Sequence, residues 1–262
     1  MGEFSDVVHS VDRALSIIET LSQFEEMGIT ELSREVGLGK ATVYRLVTTL
    51  RIRGYIEQTA TEKYRLNLKV FELGNKVVNR LGIRKIAYPY LEKLALDTKE
   101  TVNLAVLDGT DVYYIDRIES REPLRIQLDI GTRFPAYCTG LGRVLLAYSD
   151  PTAIDQLLEQ LQNKGEIQKY THKTLVDTKL LRIELNKIKE QGYTLDDEQY
   201  LSGIRCVSAP IFKHTGKVAA AISVAGPTVR MTNKIISKLI PIVKETATNI
   251  SVRLGYSHGG FI

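Results

Sequence analysis

Apolar residues recur at helical spacing through the first seventy positions. In SVDRALSIIETLSQF (10–24), Val11, Leu15, Ile18 and Leu21 predict an amphipathic helix with Ser10 as its cap and Met27-Gly28 beyond its end. A second short helix is expected from Thr30 through ELSREV, stopped by Gly37. A third begins near Gly39-Lys40. Val43, Leu46, Val47 and Leu50 form its inward stripe at i, i+3, i+4 and i+7. Its opposite face shows Lys40, Ala41, Tyr44, Arg45, Thr48 and, one turn on, Arg51, before Gly54 breaks it. YIEQ and KYRL then read as two short strands around the turn TATE. Three short helices followed by a hairpin predict a winged helix-turn-helix, a fold that lays its third helix in the DNA major groove.

From Leu66 to about Asp97 the pattern stays helical, with Leu68, Phe71, Leu73 and Val77/Val78 as an apolar stripe and Gly82 and Pro89 as punctuation. This suits a linker helix running into a second domain. The stripe packs on its own winged helix, invites self-association, or does both. Beyond residue 99 the period becomes that of strands. TVNLAVLD and VYYIDRIES flank the turn Asp108-Gly109-Thr110-Asp111, and RIQLDI reads as a third strand. LGRVLLAY, PTAIDQLLEQL and TKLLRIELNKIKEQG read as helices. YTLDDE, IRCVSAPIF and VAAAISVAG follow as strands, with KHTGK turning the last pair and MTNKIISKLIPIVKETATNISVRLG as a long closing helix. Strands, helices, then strands and a helix imply an α+β domain on an antiparallel sheet.

Composition excludes several classes. The chain has 262 residues, is 44% hydrophobic and 25% charged, and suits two domains. No run of about 18 apolar residues is present, so no membrane span is expected. MGEFSDVVHS lacks the basic and apolar regions of a signal peptide. Two cysteines are too few for a disulfide framework, so a reduced, cytoplasmic protein is the expectation. The formal net charge is +4, which alone points nowhere. Its distribution does. Residues 34–69 hold eight basic residues (Arg34, Lys40, Arg45, Arg51, Arg53, Lys63, Arg65, Lys69) against Glu35, Glu57 and Glu62, a local +5 that leaves −1 for everything else. Positive charge is thus concentrated on the reading helix and wing, as phosphate binding requires.

The candidate chemistry follows. Arg45 and Lys40 suit guanine edges or phosphates, and Thr42 and Thr48 suit phosphates or a thymine methyl. Tyr44 offers a hydroxyl on a rigid arm, and Lys63 and Arg65 on the wing suit the backbone. The competing reading is a solvated charged helix. GLGKAT (37–42) fails as a phosphate loop because Arg34 and Glu35, five and four residues before Gly39, leave no glycine where the motif needs one. The four histidines are scattered without metal spacing, and no metal or cofactor is expected. In the second domain, a sheet faced by helices leaves a cleft. Ser223 and Cys206 interrupt apolar strands there, each as a pocket contact or a small core residue. Asp196-Asp197-Glu198 reads as a solvated turn. The turn of RFPAYCTGLGRVLLA enters a helix, making either an anion site or a plain cap by Thr139.

Over nearly its full length the chain resembles the IclR family of bacterial transcription regulators. The resemblance is carried by SVDRALSIIETL, TELSREVGLGKATVYRLVTTL followed by GY, GTRFPAYCTGLGRVLLAY, the acidic DDE, and GIRCVSAPIF…GKVAAAISVAGP. It implies a winged helix-turn-helix over 1–67, a linker helix over 68–82 and a GAF-like effector-binding domain over 83–262. It also implies homodimers or homotetramers on palindromic double-stranded operator DNA, and a ligand-responsive regulator, a repressor by expectation. The effector would be a small organic or sugar acid. Effector contacts carried over are Gly140 and Leu141, Asp196, Cys206 and Ser223. A second polar residue that some members have is Ala225 here. The turn often carries Ala where this chain has Gly140, which would enlarge that corner. The implied mechanism is allosteric, without chemistry. The rivals are an enzyme using Cys138 or Cys206 as nucleophile, and a sensor module acting through protein partners alone.

Overall fold

A computed structural model describes residues 7–80, 82–126, 128–163, 165 and 167–257. Gln127, inside the expected RIQLDI strand, and His258 lie outside these. The chain divides into two compact units, Met1–Arg80 and Leu81–Ile262.

The first unit runs α1 (His9–Leu21), α2 (Ile29–Glu35), α3 (Lys40–Ile52), β1 (Ile56–Gln58), β2 (Tyr64–Leu66) and α4 (Leu68–Arg80), with β1 and β2 antiparallel. This is the predicted winged helix. Its core gathers Ile17, Leu21, Met27, Leu32, Val43, Val47, Leu50, Ile56 and Tyr64, with Leu46 packed against it. Each such side chain gains roughly 1.5–3 kcal/mol on leaving water. Met27 bridges to Tyr64 through paired backbone bonds, which fastens the wing to the loop after α1. Gly37 ends α2 at φ +65°, a left-handed conformation that costs glycine nothing.

Local details differ from the sequence reading. α1 starts at His9 with Val8 at its cap, so Ser10 lies inside the first turn. Its buried positions are Ile17 and Leu21, while Val11 and Leu15 are exposed. The run is apolar on more than one face, so spacing alone could not pick the inward one. Gly28, rather than Thr30, caps α2, and the Glu31 carboxylate accepts the Gly28 N–H at 2.8 Å. On α4, Leu68 and Phe71 are 78% and 68% exposed and Leu73 is also exposed, so these residues do not pack on the winged helix. The side chains of Val77 and Val78 lie outside the described residues. The first turn of α4 does dock: Lys69 Nζ donates to the Arg53 carbonyl at 2.6 Å and lies over the Tyr55 ring.

The second unit comprises α5 (Ile83–Thr98), β3 (Thr101–Asp108), β4 (Asp111–Ile118), β5 (Arg133–Pro135), a 3-10 turn (Ala136–Cys138), α6 (Gly140–Ala147), α7 (Pro151–Asn163), α8 (Thr178–Gln191), β6 (Thr194–Asp197), β7 (Ile204–Phe212), β8 (Val218–Pro227) and α9 (Asn233–Arg253). One six-stranded antiparallel sheet has the order β5-β4-β3-β8-β7-β6. The predicted α+β class holds, and the apolar hairpin β7–β8 is central to the sheet. α5 and α9 contact each other and the sheet, while α6 packs on the sheet and on α8.

RIQLDI forms no strand among its described residues; the edge strand is β5, some residues later. Arg117 explains the difference. Its buried guanidinium donates to the Ile126 carbonyl at 2.8 Å and to that of Leu128, consuming carbonyls a ladder would use. Pro89 lies inside α5. Asp196 and Asp197 sit in β6, not in a solvated turn. Among the described residues no helix is long and apolar enough to cross a membrane.

Candidate functional site

α3 presents the surface the sequence points to. Lys40, Ala41, Thr42, Tyr44, Arg45 and Arg51 are exposed, and Thr48 is half-buried. Tyr44, an aromatic residue that folding would ordinarily bury, is 56% exposed. The spacing of these positions keeps them on one face, because Val43, Val47 and Leu50 anchor the other in the core. Arg51 is steadied by Gln58 Oε1 at 2.7 Å. Tyr44, Arg51 and Lys63 border an open groove together with Arg34 of α2, which the sequence reading counted as charge but did not assign to the surface. The wing cations are engaged within the chain. Lys63 Nζ lies 3.5 Å from Glu26, and Arg65 Nε donates to Glu57 at 2.7 Å. Exposed pairs of this kind are worth about 0–1 kcal/mol, so a phosphate can replace either carboxylate.

The second unit holds a cavity of about 70 Å³. Strand register builds its floor. Asn103 of β3 faces Ser223 of β8, which faces Ser208 of β7. In the adjacent row Ala225 faces Cys206, which faces Asp196 of β6. Asn103, Ser223, Ala225, Cys206 and Asp196 line the cavity, with Thr139 and Gly140 from the start of α6. The rest of the wall is apolar and aromatic, including Tyr114, Phe134 and Tyr200. Phe134 meets Tyr114 edge-on at 5.3 Å and Tyr200 at 4.9 Å between ring centroids.

Four of the five effector positions thus converge: Gly140, Asp196, Cys206 and Ser223. Leu141 does not line the cavity; its side chain is buried in the core beside Val144 and Leu145. The corner at Gly140 is also not the enlargement expected. A Cβ there would lie 2.9 Å from Ser208 Oγ, 3.0 Å from Cys206 Sγ and 3.2 Å from Asp196 Cβ, so neighbours have filled the space. Asn103 and Tyr114 were missed. Their sequence signal was a polar atom on a strand, without the pairing that turns it inward.

The start of α6 is occupied by the protein's own charge. Thr139 caps the helix, accepting the Gly142 N–H at 3.2 Å, while Asp196 Oδ2 accepts the Gly140 N–H at 3.1 Å. Asp196 Oδ1 accepts the Gln199 N–H at 2.9 Å and lies 3.8 Å from the Arg143 guanidinium, which is itself 0% exposed. Burial raises the Asp196 carboxyl above its ordinary value, and Arg143 with the two backbone donors pulls the other way. Next to it, the Arg205 hydrogen bond holds Asp197 below its usual range, with Lys173 adding to the effect. Neither cysteine is poised as a nucleophile. Burial pushes the Cys138 thiol up to about 12 and raises that of Cys206 as well, and Asp196 adds to both.

Comparison with known proteins agrees with both halves. Residues 10–60 match the IclR helix-turn-helix domain, and residues 75–252 match the C-terminal domain of the bacterial transcriptional regulator IclR. The chain is 36% identical to the HTH-type transcriptional regulator KdgR of Escherichia coli K12 over 252 residues, covering 96% of this chain and 94% of that protein. Its fold is similar to the crystal structure of the Thermotoga maritima IclR, with a TM-score of 0.81 and 27% identity over 95% of this chain and 100% of that one. It is also similar to an IclR homolog from Microbacterium hydrocarbonoxydans complexed with 4-hydroxybenzoate, with a TM-score of 0.79 and 23% identity over 94% and 98%. A DNA-reading winged helix and an effector-domain fold on one chain, each matched by its own family model, make this protein a member of the IclR family of transcription regulators.

Proposed function

We propose that the chain is a repressor that binds double-stranded operator DNA as a homodimer or homotetramer and is switched by a small organic or sugar acid. Residues 1–67 read DNA, 68–82 transmit, and 83–262 sense. The observation that carries this reading is the exposed α3 face with Lys40, Tyr44, Arg45 and Arg51, on the segment that holds the chain's excess positive charge. Arg45 and Lys40 contact base edges or phosphates, Thr42 and Thr48 the backbone, and Lys63 and Arg65 follow the wing along the groove. One winged helix offers a small interface, so two copies reading two half-sites supply the affinity. The exposed apolar residues Val11 and Leu15 of α1 and Leu68 and Phe71 of α4 support self-association.

The cavity at Gly140, Asp196, Cys206 and Ser223 is the effector site in this reading, and Leu141 contributes through its backbone in the first turn of α6. A complex with 4-hydroxybenzoate in the Microbacterium homolog supports a small-molecule effector here. The cavity, about 70 Å³, has room for about two waters, well under the roughly 300–1,000 Å³ of ordinary ligand sites. Effector entry therefore moves its walls, and that movement is what a ligand can couple to DNA binding. The protein works in the cytoplasm and catalyses nothing; the raised thiol pKa values support the latter.

The test is a nuclease footprint of the purified full chain on the DNA upstream of its own gene. Protection of two half-sites about one helical turn apart is expected. Absence of a protected region, or protection that appears only with a protein partner, contradicts it.

A further inference from the structure

Two stretches outside the strands and helices contribute to the cavity wall: Ile126 with Leu128, and Tyr200 with Leu201. They are held differently. The carbonyls of Ile126 and Leu128 accept from the buried Arg117 guanidinium, so that stretch is pinned from inside the fold. Tyr200 and Leu201 belong to the loop 198–203, between β6 and β7. Leu201 lines the cavity and is still 52% exposed, so one side chain there separates the cavity from solvent.

Both ends of this loop turn through the left-handed region, Glu198 at φ +62° and Gly203 at φ +82°. Glycine does so freely, whereas Glu198 keeps that conformation only while its neighbours enforce it. Glu198 donates its N–H to the Ile204 carbonyl at 3.1 Å, and its Oε2 accepts the Gly203 N–H at 2.7 Å, so the two ends are tied together. Further ties come from one neighbouring turn, residues 170–174. Thr171 Oγ1 donates to the Glu198 carbonyl at 2.7 Å, and Thr174 Oγ1 to the Gln199 carbonyl at 2.6 Å. Lys173 Nζ donates to Glu198 Oε1 at 2.8 Å and to Asp197 Oδ2 at 2.9 Å. Tyr170 lays its ring against that of Tyr200, 4.7 Å between centroids.

We propose that the loop 198–203 is the gate of the cavity and the turn 170–174 its latch. That the gate admits an effector rests on the reading of the cavity as the effector site; that the wall opens here does not. Opening at the sheet would break the ladders joining β3, β8 and β7. Lifting the start of α6 would part the buried Arg143 from Asp196. Opening at the loop unhooks a few side-chain bonds, and water can replace them, because Lys173 and Glu198 already meet solvent in part. Segments held in this way open at the low end of local stability. Glu198 and Gly203, at the two ends, are the positions that absorb the backbone rotation. The competing account is that Lys173 and the threonines only stabilise the fold. It predicts that losing them loosens the whole unit, not one wall.

The chain's two cysteines separate these accounts. Cys206 lines the cavity, while Cys138 belongs to the apolar core. The test is the rate at which methyl methanethiosulfonate modifies each thiol of the native full chain, read by mass spectrometry of its peptides. The double variant Lys173→Met/Thr174→Val removes the two Lys173 bonds and the bond to the Gln199 carbonyl. It should speed modification of Cys206 by about tenfold or more, with Cys138 at its wild-type rate. Should the double variant fail to fold, Lys173→Met alone, with about a threefold effect on Cys206, carries the test. An unchanged rate at Cys206, or equal acceleration of both thiols, in the variant that folds overturns the gate. Neither result touches the regulatory reading, which stands or falls with the promoter footprint; a failed footprint in turn leaves the gate standing.

Discussion

The Asp196 carboxylate accepts the Gly140 backbone N–H at 3.1 Å, and so takes the anion position at the start of α6. The positive end of the helix dipole is thereby met by a side chain of the protein. A ligand entering there meets a buried, hydrogen-bonded carboxylate backed by Arg143, not an open cradle of N–H groups.

Removing Asp196 is expected to be costly. Asp196→Ala leaves Arg143 fully buried with Glu184, 3.9 Å away, as its remaining acidic neighbour among the described residues. Urea denaturation should show a loss of roughly 3–5 kcal/mol, the range for breaking a buried pair. A loss under about 1 kcal/mol would mean that solvent or another side chain meets the charge.

The same carboxyl should leave a pH signature. Burial raises its folded-state pKa above the unfolded value of about 3.9. Between these values the native state holds more protons than the unfolded state, so this group's contribution to stability falls as pH rises through that window. The advantage of the wild-type chain over Asp196→Asn should therefore shrink as pH rises above about 4. An advantage that grows as pH rises would contradict the assignment.

Two glycines of α6 should respond differently to alanine. A Cβ on Gly142 would lie 2.3 Å from the backbone of Ala136, which has nowhere to go. At Gly140 the close atoms are largely side chains, which can yield. Gly142→Ala should therefore cost more in thermal denaturation, at or above the roughly 1–3 kcal/mol of ordinary overpacking. Gly140→Ala should cost less and narrow the cavity. The reverse order would refute the packing described.

The thiols should be inert. With Cys138 raised to about 12, its thiolate fraction near pH 8 is about one in ten thousand. Iodoacetamide should label both cysteines in urea and neither in the native chain on the same timescale. Rapid native labelling of Cys138 would return cysteine chemistry to consideration.

The reading helix and wing should separate in their effects. Arg45→Ala should cost roughly 1–3 kcal/mol at a cognate site and relax its sequence preference. Arg65 is tied to Glu57, so Arg65→Ala should weaken cognate and scrambled DNA alike, and by less. Equal loss on all sequences for Arg45 would make it a phosphate contact.

Much of this was legible in the sequence because helical and strand periods are local. α3, the wing, β7, β8 and α9 fall where their patterns place them. α1 was harder: Val11, Leu15, Ile17 and Ile18 are all apolar, and only packing separates Ile17 from Leu15. The edge strand was misplaced because a side chain far along β4, Arg117, takes the carbonyls of the segment. Cys206 and Ser223 stood out as polar interruptions in apolar strands. Asn103 did not, because its role comes from a register partner 120 residues away. Arg143, a charged residue inside an apolar helix, gains its meaning only from the acid of β6 beside it.

The most direct test of the account is fluorescence anisotropy of the full chain on its own promoter fragment and on a scrambled fragment, across a range of salt. Binding should be tighter on the promoter by a factor of about a thousand or more, and should weaken steeply with salt on both. Equal affinity for the two fragments, or binding indifferent to salt, would contradict a sequence-reading helix with a basic face.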